Sequence, residues 1–181
     1  MTDKFTEKFK PLFTREEVED AVIRLAGEIS RDFRGEEVLF VGVLKGSFIF
    51  LADLVRKVKD VSVEVDFVRV RSYGSSTSPE TKPVITKDLE VNPAGKFVII
   101  VEDIIDTGET LSYLIKHIRA MNPKDLRVCT LIDKRERRHS RVQVDYAGFT
   151  VEKGFVVGYG LDVGEKLREL EEIKVLPENN E

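Results

Sequence analysis

Apolar residues are distributed along this chain with two different periods, and the period changes mark its elements. Thr14 and Glu17 have capping-box spacing, and Val18, Ala21, Val22, Leu25 and Ile29 follow at helical intervals until Gly35. This predicts an amphipathic helix. VLFVGVL (38–44) is nearly all apolar and rich in β-branched residues, and leads through Lys45-Gly46-Ser47 into a segment with Phe48, Leu51, Ala52 and Val55 on one face. Strand, tight turn and helix are expected there. VEVDFVRV (63–70) alternates and then shifts phase, as a strand with one less buried face or a bulge would. FVIIV (97–101) is a second fully apolar strand, and after a polar turn Leu111, Leu114, Ile115 and Ile118 mark its helix. RVCTLID (127–133), VDYAGF (144–149) and FVVGYG (155–160) complete the strand-like runs. Strands alternating with helices imply an α/β fold with a mostly parallel twisted sheet covered by helices on both faces. Ligands of such sheets collect beyond the carboxyl ends of the strands, so the turns after 38–44, 97–101 and 127–133 should carry the chemistry.

The segment 71–88, RSYGSSTSPETKPVITKD, reads as a long loop, well beyond the connection of about four to six residues usual in compact domains. Lids and disorder both have that composition. The tail KVLPENNE should fray after its first few residues. A length of 181 residues with 41% hydrophobic residues supports one well-buried core, so a single domain is expected. No stretch approaches the roughly 18 consecutive apolar residues of a membrane span, and the N-terminus is too polar for a secretory signal, which points to a cytosolic protein. The lone Cys129 sits in an apolar run and reads as core. A net charge of -4 disfavours a general nucleic-acid binder.

VEDIIDTGET (101–110) places Glu102, Asp103, Asp106 and Glu109 in one short turn between a buried strand and a helix start. Carboxylates so close repel one another. A helix N-terminus offers unpaired N–H groups and about half a positive charge, and Thr107, Gly108 and Thr110 add hydroxyls and close backbone access, which suits a phosphate. The acids call for something more, and a ligand with vicinal hydroxyls and a divalent cation supplies it. A phosphorylated ribose has those features; an acid-rich loop that merely caps a helix is the plainer alternative.

Two acids, two apolar residues and Asp-Thr-Gly-x-Thr resemble the phosphoribosyl pyrophosphate motif of the type I phosphoribosyltransferases. VGVLKGSFIFLADL, VEVDFVRVRSYG, VEDIIDTGET, TLIDKRERR and FVVGYGLD, in that order, resemble the hypoxanthine-guanine phosphoribosyltransferase family over roughly residues 36–170. The resemblance implies a core over about 36–133 with a small hood from the N-terminal residues plus about 134–170. It implies magnesium as cofactor, phosphoribosyl pyrophosphate and a 6-oxopurine as substrates, and a homodimer or homotetramer. Residue by residue, it puts Glu102 and Asp103 at the ribose hydroxyls and metal, and Asp106 as general base or acid at the purine N7. Asp106, Thr107, Gly108, Glu109 and Thr110 would surround the 5-phosphate. Lys45 and Gly46, after an often cis peptide, and Arg168 would meet the pyrophosphate. Lys134 would donate to the 6-oxo group, Phe155 would stack on the purine, the Val156 backbone would pair with its edge, and Asp162 would lie near a second magnesium at the base side. Ser72 and Tyr73 would begin a closing loop. Without the resemblance, Lys45 reads as a solvated turn lysine and Phe155 as core.

One departure stands out: the family often has an aromatic after the acid of the last block, and here Val163 is followed by Gly164. The basic run KRERRHSR (134–141) leaves open an RNA-binding regulator of pyrimidine genes on the same fold, although most charge runs are solvated faces or subunit contacts. A phosphoribosyltransferase for another base is the nearer rival, against which Lys134 and Phe155 speak. His117 and His139 lack the spacing of metal or nucleophilic partners.

Overall fold

The computed structural model describes residues 8–73 and 82–176. In chain order the elements are β1 (Lys10–Phe13), α1 (Arg15–Asp32), β2 (Glu37–Val43), α2 (Phe48–Lys57), β3 (Ser62–Tyr73) and β4 (Lys82–Lys87). There follow β5 (Phe97–Ile105), α3 (Glu109–Arg119), β6 (Asp125–Lys134), β7 (Tyr146–Val151), β8 (Phe155–Val157) and β9 (Ile173–Leu176). The large sheet has the order β4-β3-β2-β5-β6-β7. Its strands are parallel except β4, which returns antiparallel along β3.

Why the central strands read as continuous apolar runs is plain from the two core layers. Val38, Phe40, Ile99, Val101, Cys129 and Leu131 point to one face, where α1 and α2 cover them. Leu39, Val41, Val98, Ile100 and Val128 point to the other and meet Leu111, Leu114 and Ile118 of α3. Both faces are dry, so neither register position can be polar. The capping box forms as expected: Glu17 N–H donates to Thr14 Oγ1 (3.2 Å), and Thr14 N–H to Glu17 Oε2 (2.8 Å). Cys129 is fully buried, and burial pushes its thiol up.

Three expectations need correction. The stretch 71–88 is not wholly loop, because β3 runs on to Tyr73 and Lys82–Lys87 pairs with it, Arg71 opposite Val84. A register shift between Arg69 and Val70 accounts for the change of phase in this strand, and Val63 and Val65 lie on its exposed side. In α2 the buried residues are Phe50, Leu51 and Leu54, while Phe48 is 43% exposed. FIFLADLV carries apolar residues almost all round, so periodicity alone could not choose the face; packing did. β5 does not stop at Val101 but continues to Ile105, which puts Glu102 and Asp103 within the strand.

A second sheet, β1-β9-β8, stands beside the first. The 134–170 stretch divides between the two: β7 joins the large sheet on β6, β8 joins the small one, and β9 extends the small sheet beyond residue 170.

Candidate active site

β2, β5 and β6 are neighbours in the large sheet, so the turns that leave their carboxyl ends lie side by side. The Leu44–Lys45 peptide after β2 is cis. Ser47, fully buried, donates its hydroxyl to the Val43 carbonyl (2.8 Å) and closes that turn. Gly46 packs directly on the Asp103 carboxylate, and a β-carbon at Gly46 would collide with it. Gly160 (φ +101) packs in turn on the Gly46 carbonyl, which leaves no room for a side chain there either. The turn after β2, the end of β5 and the 158–168 segment therefore converge on Asp103.

Glu102, half-buried, and Asp103, buried, stand next to each other at this point. Burial pushes Glu102 well above the ordinary carboxylate range, and the adjacent Asp103 charge pushes it further. Burial also raises Asp103, against the opposing pull of the hydrogen bond from Glu102, the Ile104 N–H (2.8 Å) and the Arg168 charge. Two neighbouring acids that resist ionisation together are a site short of positive charge. Among the described residues no three His, Cys, Asp or Glu side chains gather to hold a metal by themselves. The pair accordingly fits a magnesium ion that takes few protein carboxylates and brings water or substrate oxygens as its other ligands, rather than one caged by protein.

The expected phosphate turn follows. Gly108 (φ +81) starts α3 with no side-chain cap, and Glu109 N–H donates to Thr107 Oγ1 (3.4 Å). Segment 135–140 lies against this turn: His139 and Ser140 N–H groups donate to the Thr107 carbonyl (3.2 and 3.1 Å). Arg138 donates to the carbonyls of Ile105 (3.0 Å), Asp106 (3.1 Å) and Lys134 (3.2 Å) and pairs with Asp133. Arg137 pairs with the Asp106 carboxylate itself. Neither arginine was singled out from the sequence as a site residue. The signal was the basic run, in which Arg137 and Arg138 pair with Asp106 and Asp133 and Arg135 lies 3.5 Å from Asp133, while Arg135, Arg137, His139 and Arg141 stay exposed. Pairing of three of its arginines with acids of the same chain counts against an RNA-binding reading.

Lys134 is buried at the end of β6, with Nζ 3.3 Å from Glu136. Phe155, at the start of β8, is 50% exposed, which removes the core reading for it, whereas Val156 is buried. Asp162 accepts from Arg168 Nη2 (2.8 Å) and from the Glu165 N–H (2.8 Å). Arg168 Nη1 donates to the Gly160 carbonyl (2.7 Å). Lys45 Nζ reaches Glu165 Oε2 at 2.9 Å, a third residue that sequence reasoning missed. Hydrogen bonds from Lys45 and then Arg168 hold the Glu165 carboxyl below its usual range. Val163 and Gly164, the departure from the family pattern, form a tight turn in which the Val163 and Lys166 backbones exchange bonds (3.1 and 3.2 Å). The strand backbone at Ser72 and Tyr73 pairs with Pro83 and Lys82; their side chains and residues 74–81, the body of the expected closing loop, lie outside the described residues.

Two connected groups thus emerge: Lys45, Gly46, Asp103, Gly160, Asp162, Glu165 and Arg168 in one, and Asp106, Thr107, Gly108, Asp133, Lys134, Arg137 and Arg138 in the other. Residues 11–163 match the family model described as "Phosphoribosyl transferase domain". The chain belongs to the phosphoribosyltransferase family. Among its relatives, the hypoxanthine-guanine phosphoribosyltransferase of Bacillus subtilis is 41% identical over 167 residues, covering 92% of both chains. That of Mycobacterium tuberculosis is also 41% identical, over 91% of this chain and 84% of the relative. A crystal structure of a hypoxanthine-guanine phosphoribosyltransferase from Bacillus anthracis, with a HEPES molecule in its active site, superposes with a TM-score of 0.88. It is 45% identical over 93% of this chain and 98% of that one. A Staphylococcus aureus hypoxanthine phosphoribosyltransferase reaches 0.90 at 33% identity, over 98% and 96% of the two chains. This phosphoribosyltransferase has the likeness along nearly its whole length, so both connected groups fall inside it.

Proposed function

We propose that this phosphoribosyltransferase joins a 6-oxopurine base to phosphoribosyl pyrophosphate, giving the nucleoside 5-monophosphate and pyrophosphate in purine salvage. The observation that carries it is the buried Asp103 carboxylate packed against Gly46, with the half-buried Glu102 beside it and the Asp106 turn next in the chain. Two neighbouring acids at a strand end call for hydroxyl donors and a cation; the ribose has the hydroxyls, and magnesium accompanying the pyrophosphate would supply the cation. The named relatives, all hypoxanthine or hypoxanthine-guanine enzymes, support the choice of base.

In this reading the ribose hydroxyls donate to Glu102 and Asp103, and the backbone and hydroxyls of residues 106–110 take the 5-phosphate at the start of α3. Lys45, the Gly46 backbone and Arg168 meet the pyrophosphate, where a guanidinium suits a leaving group that gains charge as the glycosidic bond to it breaks. Magnesium held at Glu102 and Asp103, with Asp162 at the second position, would supply further charge neutralisation for that departure. Asp106 acts at the purine N7, holding or releasing the proton as the base nitrogen attacks the anomeric carbon. It must first give up Arg137, whose 61% exposed side chain is free to swing into solvent. Lys134 donates to the 6-oxo oxygen, which adenine lacks, so the same lysine selects against adenine. Phe155 offers its exposed ring to the purine face and the Val156 backbone its edge contacts. Ser72 and Tyr73 begin the loop that excludes water. The small sheet serves as the hood over the base, the enzyme works in the cytosol as a dimer or tetramer, and no helix among the described residues is long and apolar enough to cross a membrane.

A pyrophosphate-release assay with hypoxanthine, guanine, xanthine, adenine, orotate and uracil tests the proposal. Turnover should appear with at least one oxopurine and not with adenine or the pyrimidines; turnover confined to adenine or a pyrimidine would refute the assignment.

A further inference from the structure

Glu165 occupies a position that the proposed function gives to something else. Its Oε2 atom accepts from Lys45 Nζ at 2.9 Å and from Arg168 Nη2 at 3.0 Å. These are the two cations expected to hold the pyrophosphate, and one carboxylate oxygen between an ammonium and a guanidinium reproduces what a phosphate oxygen would present to them. The backbone is shaped to hold it there. Gly164 and Glu165 both have positive φ (+59 and +67), the turn is closed by the Val163–Lys166 bonds, and the Glu165 N–H is tied to Asp162 (2.8 Å). Side chains with a β-carbon seldom take that conformation; Glu165, whose carboxylate reaches both cations, takes it, as does Leu167 two residues on.

We propose, resting on the function above, that Glu165 is a positioning residue that stands in for the pyrophosphate group. It keeps Lys45 and Arg168 paired and aimed when no substrate is bound, yields to pyrophosphate on binding, and returns to speed its release. A tethered single carboxylate loses the cations to a group with several phosphate oxygens, yet recovers them as that group departs. Because Lys45 and Glu165 are both well exposed, each contact is worth little, and displacement costs a modest factor in affinity rather than blocking the site. Free pyrophosphate and the pyrophosphate arm of the substrate face the same competitor, so both affinities should respond together.

The test is calorimetric titration of magnesium pyrophosphate into wild-type protein and into Glu165→Gln, Glu165→Ala and Glu165→Asp, with steady-state kinetics alongside. Gln and Ala variants should bind pyrophosphate about three- to tenfold more tightly, lower the KM for phosphoribosyl pyrophosphate by a similar factor, and slow turnover through retained product. Glu165→Asp, which keeps the charge, should stay near wild type. Equal or weaker binding in both the Gln and Ala variants, with wild-type melting temperatures, would overturn the inference and leave Glu165 as a turn residue. Wild-type protein that takes up no pyrophosphate at any concentration would overturn the functional reading itself, a result distinct from the first because it appears without any substitution.

Discussion

Arg138 is the arginine on which the acidic turn depends, and Arg138→Met isolates its contribution. The substitution deletes three hydrogen bonds to the carbonyls of Ile105, Asp106 and Lys134 and the pairing with Asp133. Each bond is worth a net of about 0.5–1.5 kcal/mol. Asp133 is buried and among the described residues would retain only Arg135 at 3.5 Å, so the loss of its partner adds to the cost without reaching that of a fully orphaned charge. Together these amount to about 2–4 kcal/mol, and in a domain of this size about 4–16 °C in melting temperature. Function should suffer in step, because the same bonds fix where Asp106 and the phosphate turn stand. A displacement on the order of 1 Å lowers catalysis about 100-fold, so kcat/KM for phosphoribosyl pyrophosphate should fall by about that factor. Arg138→Lys keeps the charge for Asp133 but cannot reach all three carbonyls, and should be intermediate in both measurements. Scanning calorimetry and steady-state kinetics on the three proteins give the result. A methionine variant that melts within a degree of wild type and keeps its kcat/KM would refute the assignment of this arginine as the turn's anchor.

Glu102→Gln should raise the melting temperature of the ligand-free protein by about 2–6 °C at neutral pH while weakening substrate binding, as expected where function is bought with stability. The sign follows from the raised carboxyls: above the ordinary carboxylate range the folded chain holds more protons than the unfolded one, so wild-type stability from this pair falls as pH rises through the raised folded values, and the variant should flatten that slope. Melting curves between pH 5 and 9 check both points. Gly46→Ala forces a methyl group into the Asp103 carboxylate and should cost about 1–3 kcal/mol of stability, with activity reduced at least tenfold, measurable by denaturant unfolding and pyrophosphate release. Asp106→Asn should lower kcat by about 10²–10⁴ and leave the KM for phosphoribosyl pyrophosphate nearly unchanged; equal losses in both, seen in initial-rate kinetics, would remove its acid-base role.

The parallel α/β architecture was legible in the chain because strands buried on both faces must be continuously apolar, and 38–44, 97–101 and 127–133 are. Their ends were less legible. Charged residues ordinarily close a strand, so Glu102 and Asp103 read as turn although the ladder with β6 carries on past them, Glu102 opposite Thr130 and Ile105 opposite Asp133. β4 was hidden in a polar stretch because it lies at the sheet edge, where one side needs no apolar partner, and β1 and β9 are four-residue strands too short to show a period. Asp106 stood out in the crowd of acids in 101–110, whereas Lys45, Gly46 and Lys134 were picked out only by the family resemblance of their turns. Arg137, Arg138 and Glu165 stayed silent because the contacts that tie them to the site, to residues 31, 32 and 120 positions away, have no local pattern, even though Arg138 and Glu165 also have near neighbours as partners.

Solving the crystal structure of the protein with a 6-oxopurine nucleoside 5-monophosphate probes the site as a whole. Ribose hydroxyls within hydrogen-bonding distance of Glu102 and Asp103, the phosphate on residues 107–110 and the purine between Phe155 and Lys134 are the outcome required. Nucleotide bound elsewhere, with both acids turned to bulk solvent, would contradict it.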